Sequence, residues 1–140
     1  MLYGNPCDWS LFSVSVPSPV PGAQFSVGLG PNFQYLLRVV RFRFTTSAAV
    51  ANRTVGLDIV WPSLFAVTCA SPTVQTAVLS LHYQAADFGA GVASTATDGF
   101  IVLPPLFLEE DTIVRSNILL LQAADQLDEI FVSGLRRRLT

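Results

Sequence analysis

From residue 33 onward the apolar side chains recur at every second position, and this period restricts what the chain can fold into more than any other feature. Successive side chains of a strand point to opposite faces, so the pattern makes ribbons with one apolar face that must be covered by a second layer. In residues 33–46, Val40, Phe42 and Phe44 share one face and Arg41 and Arg43 the other, predicting a half-buried strand whose arginines are wet or paired. Val55, Leu57, Ile59 and Trp61 alternate with Thr54, Gly56, Asp58 and Val60, a second strand that Pro62 ends because proline lacks a backbone donor. Residues 73–84 read as a third strand, with Ala77, Leu79, Leu81 and Tyr83 opposite Val78, Ser80 and His82. The predicted core therefore includes Val40, Phe42, Phe44, Leu57, Ile59, Trp61, Leu79 and Leu81.

Residues 85–99 are small and polar with three glycines, which predicts a long loop. A short apolar run at 100–103 is stopped by Pro104 and Pro105. After 106–108, the acidic cluster Glu109, Glu110 and Asp111 reads as a turn into a strand over 112–121. Residues 120–139 fit two readings. Leu120, Ala123, Ala124, Leu127, Ile130, Phe131 and Leu135 lie at helical spacing, yet the same residues allow a strand, a turn at 123–126 and a closing strand over 127–135. The second is preferred, because Ile130, Phe131 and Val132 form a β-favouring run and Gly134 weakens a helix.

Residues 1–32 differ in character. Pro6, Pro17, Pro19, Pro21 and Pro31, with Gly4, Gly22, Gly28 and Gly30, prevent long regular elements. Within them Phe12, Val14 and Val16 alternate with Ser13 and Ser15 as one short strand. The chain is accordingly divided into an extended arm, 1–32, and an all-β antiparallel sandwich, 33–140, with the jelly roll as one form of it. The arm is expected to strap a neighbouring subunit, with Phe12, Val14 and Val16 adding a strand to its sheet edge, and the rest to fold without it. The alternative is that this strand pairs within its own domain.

Composition bounds what such a sandwich does. Of the 140 residues 51% are hydrophobic and 13% charged, about half the roughly 25% usual in soluble domains. Mean hydropathy is +0.49. A surface this apolar is expected to be buried against other subunits. No run reaches the roughly 18 apolar residues of a membrane-spanning helix, and the Pro-rich segments interrupt the even strands of a membrane barrel. A formal charge of -2 argues against nucleic acid, whose phosphates need clustered basic charge. All eight basic residues are arginine, which suits interfaces and equally suits a GC-rich genome. Arg136, Arg137 and Arg138 are the second candidate contact, with a solvated terminus as the plain alternative. Cys7 and Cys69 are expected to be free thiols, and the N-terminus has no secretory pattern, which points to the cytoplasm.

The inventory for catalysis is thin. His82 is the only histidine and sits within an alternating strand, so it reads as structural. No G-x-S-x-G, glycine-rich phosphate loop or H-E-x-x-H occurs. Glu109, Glu110 and Asp111 lack the ligand spacing of a calcium loop, and Asp125, Asp128 and Glu129 read as an acidic turn before they read as a carboxylate pair. No catalytic, cofactor or metal site is expected. A carbohydrate-binding sandwich, with Trp9, Trp61 and Tyr83 as its aromatic platform, is a rival reading, and a hydrolase ranks last.

Residues 35–53, YLLRVVRFRFTTSAAVANR, resemble a pattern of small virion proteins of tailed bacteriophages: an apolar strand, a Thr-Thr turn, then Ala-x-x-Ala-Asn-Arg before the next strand. Residues 103–132 are similar to the second half of that pattern, with a Pro-containing strand, an acidic turn before Asp111, Thr112 and Ile113, and Asp125-Gln126 before the closing strand. The resemblance implies a capsid decoration or cement protein, or a neck or tail adaptor. Its partners would be the major capsid protein or other virion proteins, its own state a homo-oligomer with a trimer favoured, and its location the virion after assembly in the host cytoplasm.

Overall fold

The computed structural model describes residues 8–63, 65–86 and 99–139. They form ten strands: β1 (Ser10–Val16), β2 (Ser26–Gly28), β3 (Phe33–Thr45), β4 (Arg53–Val60), β5 (Ala66–Gln75), β6 (Ser80–Ala86), β7 (Gly99–Val102), β8 (Phe107–Leu108), β9 (Ile113–Ser116) and β10 (Gln126–Arg138). One sheet has the order β1-β10-β3-β6-β7, with β8 also on β3, and the other has the order β2-β9-β4-β5.

These orders describe a long hairpin rolled on itself. Its tip is the β4/β5 pair, and its two arms pair as β3 with β6, β2 with β9 and β1 with β10, all antiparallel. Rolling places β10 beside β3 and β9 beside β4, again antiparallel. Two sheets of four strands made in this way are a jelly roll. Strands β7 and β8 are an insertion between β6 and β9, and β7 runs parallel to β6.

The two-residue alternation explains the core. Val40, Phe42 and Phe44 of β3 and Val55, Leu57 and Ile59 of β4 are buried from opposite sheets, and Trp61 is buried just beyond β4. Phe42 stacks on Tyr83 of β6 (centroids 5.5 Å apart, planes at 14°) and meets Phe25 edge-on at 5.5 Å. On the arginine face of β3, Arg41 is exposed and Arg43 is paired: Arg43 Nε donates to Asp128 Oδ1 at 2.9 Å, and its guanidinium lies 3.3 Å from Glu129. The C-terminal segment is strand, not helix, with a turn at Ala123 and Ala124 leading into β10.

Three expectations are corrected. The strand expected over 112–121 is only β9, Ile113–Ser116, and 117–121 belong to the connection that follows it. Residues 73–84 are not one strand: β5 ends at Gln75, the chain turns at 76–79, and β6 begins at Ser80. Leu79 consequently lies on the turn, 39% exposed, while Tyr83 keeps its buried place and Leu81 packs on the core. The described part of the supposed arm also belongs to the sandwich. All seven residues of β1 pair with β10, β2 pairs with β9, and Phe12, Phe25 and Leu29 are buried in the common core. Phe12 can lie there because its strand partner is Gly134, where a Cβ would press on the Phe12 ring at 3.1 Å and on the Leu36 carbonyl.

Candidate functional site

Among the described residues, two surfaces are candidates. The first is built by the four connections that the roll gathers at one end: 17–25 (β1 to β2), 46–52 (β3 to β4), 76–79 (β5 to β6) and 117–125 (β9 to β10). They are bonded directly to one another. Thr46 N donates to Leu79 O at 2.8 Å and Val78 N to Ser47 O at 3.1 Å. Gly22 N donates to Asp125 O at 2.8 Å, and Gln126 Nε2 to Pro19 O at 2.9 Å. Gly22 has φ +80°, and a Cβ there would meet the Ala123 carbonyl at 2.8 Å, so glycine is what allows these two loops to touch.

At the centre of this end Arg53 and Asp125 form a fully buried pair. Arg53 Nε and Nη2 reach the two carboxylate oxygens at 2.9 Å each, and Nη1 donates to Ala51 O at 2.8 Å. Ser47 N and Oγ donate to Oδ1 at 2.8 and 2.9 Å, and Gln122 N to Oδ2 at 2.8 Å. Burial alone would raise the Asp125 pKa, but the donors from Arg53, Ser47 and Gln122 outweigh it and hold the group at about 2. Gln75 extends the bracing. Its buried amide donates to Phe44 O at 2.9 Å and Leu79 O at 3.1 Å and accepts from Tyr83 Oη at 2.9 Å.

While Asp125, Arg53 and Gln75 are turned inward, this end presents aliphatic side chains outward, beside the exposed Ser18, Asn52 and Thr76. Val20, Val50, Val78, Leu119 and Leu120, at least one from each connection, are all more than half exposed, Val50 at 97%. None of residues 17–25, 46–52, 76–79 or 117–124 is charged. Val78 (φ 57°) and Leu120 (φ 62°) are held in the left-handed region, which costs about 1–3 kcal/mol for residues other than glycine. The fold thus spends stability to present two of the five apolar groups.

The second surface unites the two groups of residues singled out in the sequence. Phe12, Val14 and Val16 lie on β1 and Arg136, Arg137 and Arg138 at the end of β10, and the register sets Ser10 against Arg136 and Phe12 against Gly134. Phe12 is buried, Val14 is 37% exposed, and Val16 packs on the core's rim. The arginines are partly committed within the molecule: Arg136 lies over the Phe33 ring at 4.4 Å, while Arg137 lies 5.2 Å from the Trp9 ring and donates to Gln34 Oε1 at 2.8 Å.

The remaining candidates are placed apart from these two surfaces or inside the core. His82 Nε2 is 3.1 Å from Glu129 Oε2 on an exposed sheet face, beside the Arg43 to Asp128 pair. Glu110 accepts from Asn32 N at 2.7 Å, and Thr112 Oγ1 donates to Glu109 O at 2.8 Å, closing the acidic turn. Tyr83 and Trp61 are buried and cannot form an aromatic platform with Trp9. Cys69 is a free thiol whose pKa burial and nearby Asp58 push up; Cys7 lies outside the described residues. Reasoning from sequence missed Arg53 and Gln75 as buried polar anchors, since each looks like a surface residue until its partner in a distant segment is known.

No protein-family model and no curated protein matches this sequence. Among solved structures, the chain is similar to a chain of infectious bursal disease virus strain Gt, at 12% identity and TM-score 0.38, over 93% of this chain and 33% of that one. It is also similar to a chain of strain Gx, at 16% identity and TM-score 0.39, over 91% and 32%. A chain of the T13 particle of the same virus matches at 11% identity and TM-score 0.38, over 95% and 36%. The chain thus spans about a third of the length of the solved chains it matches.

Proposed function

We propose that this chain is a non-enzymatic structural protein of a tailed phage particle, a capsid decoration or cement protein that binds neighbouring capsid subunits. The observation that carries the reading is the uncharged aliphatic end of the sandwich, fixed on a buried ion pair and presented in part from left-handed backbone. Such a surface carries no charged group, and its most exposed side chains are aliphatic. It gains free energy by being covered.

The magnitude suits a repeating lattice. Fully burying five Val and Leu side chains gives on the order of 5–10 kcal/mol gross, because all but Val50 are already partly shielded. Association costs roughly 4–15 kcal/mol, so one such end alone binds weakly. Several copies joined together and docked on a regular array gain effective concentration and bind firmly. A neck or tail adaptor is the second reading, and it differs in copy number. The carbohydrate-binding reading loses its support with Trp61 and Tyr83 in the core.

The test is to purify particles carrying either the natural chain or the variants Val50→Asp and Leu120→Asp, and to count copies by quantitative mass spectrometry. Aspartate tolerates the left-handed backbone at 120, so both variants should fold with unchanged melting temperature. A decoration protein repeats with the capsid lattice and is present in far more copies than a neck protein. Either variant should be depleted from particles. Absence of the natural chain from particles, or undiminished incorporation of both variants, overturns the proposal.

A further inference from the structure

The four outer strands of the sandwich are unequally protected. β2 has three residues and β7 four, too short to offer a ladder. β5 is longer but carries Pro72 and a register shift opposite Thr54 and Gly56, two devices that blunt an edge. β1 has neither. Its seven residues, SLFSVSV, contain no proline and no charge and pair with β10 without a register shift, and among the described residues nothing pairs with its other side. An open edge of this kind is the part of a β protein most ready to accept another strand.

We propose that β1 is a twofold self-association site: two copies of this chain join β1 to β1 antiparallel, with Ser13 on the axis, merging their larger sheets into one. This stands apart from the particle assignment. Full overlap of Ser10–Val16 fixes the register, which sets Phe12 against Val14 of the second copy, Leu11 against Ser15, and Ser13 against itself. On the inner face, Val14 borders a cleft of about 280 Å³ together with Leu29, Phe33 and Tyr35, and the added strand covers it. On the outer face, Leu11 is 84% exposed, and Ser15 pairs with Phe131 of β10, also exposed. Leu11 of the second copy therefore leans across the small Ser15 onto Phe131, so both copies shield Leu11, the most exposed apolar side chain among the described residues of this sheet, and Phe131 with it.

Charge permits the arrangement. No charged residue of β1 faces its counterpart, and the arginines sit at one end of the ribbon, next to Ser10. Antiparallel pairing sends the two Arg136 to Arg138 clusters to opposite ends, about 20 Å apart at roughly 3.4 Å per residue. That exceeds the Debye length of about 8 Å at physiological salt, so they repel little.

The experiment is sedimentation of the full chain across a concentration series, for the natural sequence, Ser13→Lys and Ser13→Glu. Ser13 is exposed, so both variants should keep the natural melting temperature and circular dichroism. The natural chain is expected to form a concentration-dependent dimer. Either variant alone places like charges in contact on the axis and should weaken dimerisation at least tenfold, and an equimolar mixture of the two should restore it as a heterodimer. A monomer at all concentrations, an oligomer indifferent to both substitutions, or variants weakened alone but not recovered by mixing would each overturn the proposal.

Discussion

Replacing Asp125 with Asn should destabilise the protein by about 3–5 kcal/mol at neutral pH, the usual cost of leaving a buried charge without its partner. The carboxylate accepts five hydrogen bonds, two from Arg53, two from Ser47 and one from Gln122. An amide in its place keeps one acceptor and turns an NH₂ group toward donors, while Arg53 stays fully buried and uncompensated. Part of the loss should depend on pH. The folded pKa of Asp125 is about 2 against an ordinary 3.8, and at roughly 1.4 kcal/mol per unit this contributes about 2 kcal/mol. Because the folded value is depressed, that contribution is complete above the unfolded pKa and is lost as pH falls through 3.8 to about 2. Urea unfolding followed by far-ultraviolet circular dichroism at pH 7, 5, 4, 3 and 2 measures both quantities, and the difference between natural chain and variant cancels the titration of other carboxylates such as Asp58. The gap should be widest at pH 7 and narrow by about 2 kcal/mol toward pH 2. A gap below about 1 kcal/mol at pH 7, or one that does not change with pH, would show that the pair does not brace the loops.

Three further outcomes are expected. Phe42→Ala should cost about 3–5 kcal/mol in the same unfolding assay, because the cavity it leaves lies between the Phe25 and Tyr83 rings; unchanged stability would place Phe42 outside the core. A chain lacking residues 1–32 should fail to fold, reading as a poorly dispersed amide spectrum, since it loses β1, β2 and the buried Phe12, Phe25 and Leu29; a well-dispersed spectrum would restore the view of that segment as a strap. His82→Gln should leave stability within about 0.5 kcal/mol, because the pair with Glu129 is half exposed, and a loss of more than about 1 kcal/mol would contradict this.

Much of the sandwich was legible in the sequence, for a local reason. Alternation depends only on neighbours along the chain, so β3, β4 and their buried faces could be read directly, as could the Pro62 stop and the choice of strand over helix in β10. The break between β5 and β6 could not, because residues 76–79 contain neither Gly nor Pro: the turn is enforced by Thr46, Ser47 and Gln75 bonding to it from outside, with Val78 driven into left-handed backbone. The same limit applies to the surfaces proposed for function. The sequence marks Phe12, Val14 and Val16 as a strand but not which strand they meet, and proline density around them looks like an independent arm. Five exposed aliphatic residues spread from 20 to 120 carry no shared signal along the chain. They become one surface only because the roll brings four connections to the same end, where Arg53 finds Asp125 seventy-two positions away. Local periodicity determines which residues form strands and which faces are apolar; long-range pairing, settled by the packing of the whole core, decides which of those faces and edges remain uncovered.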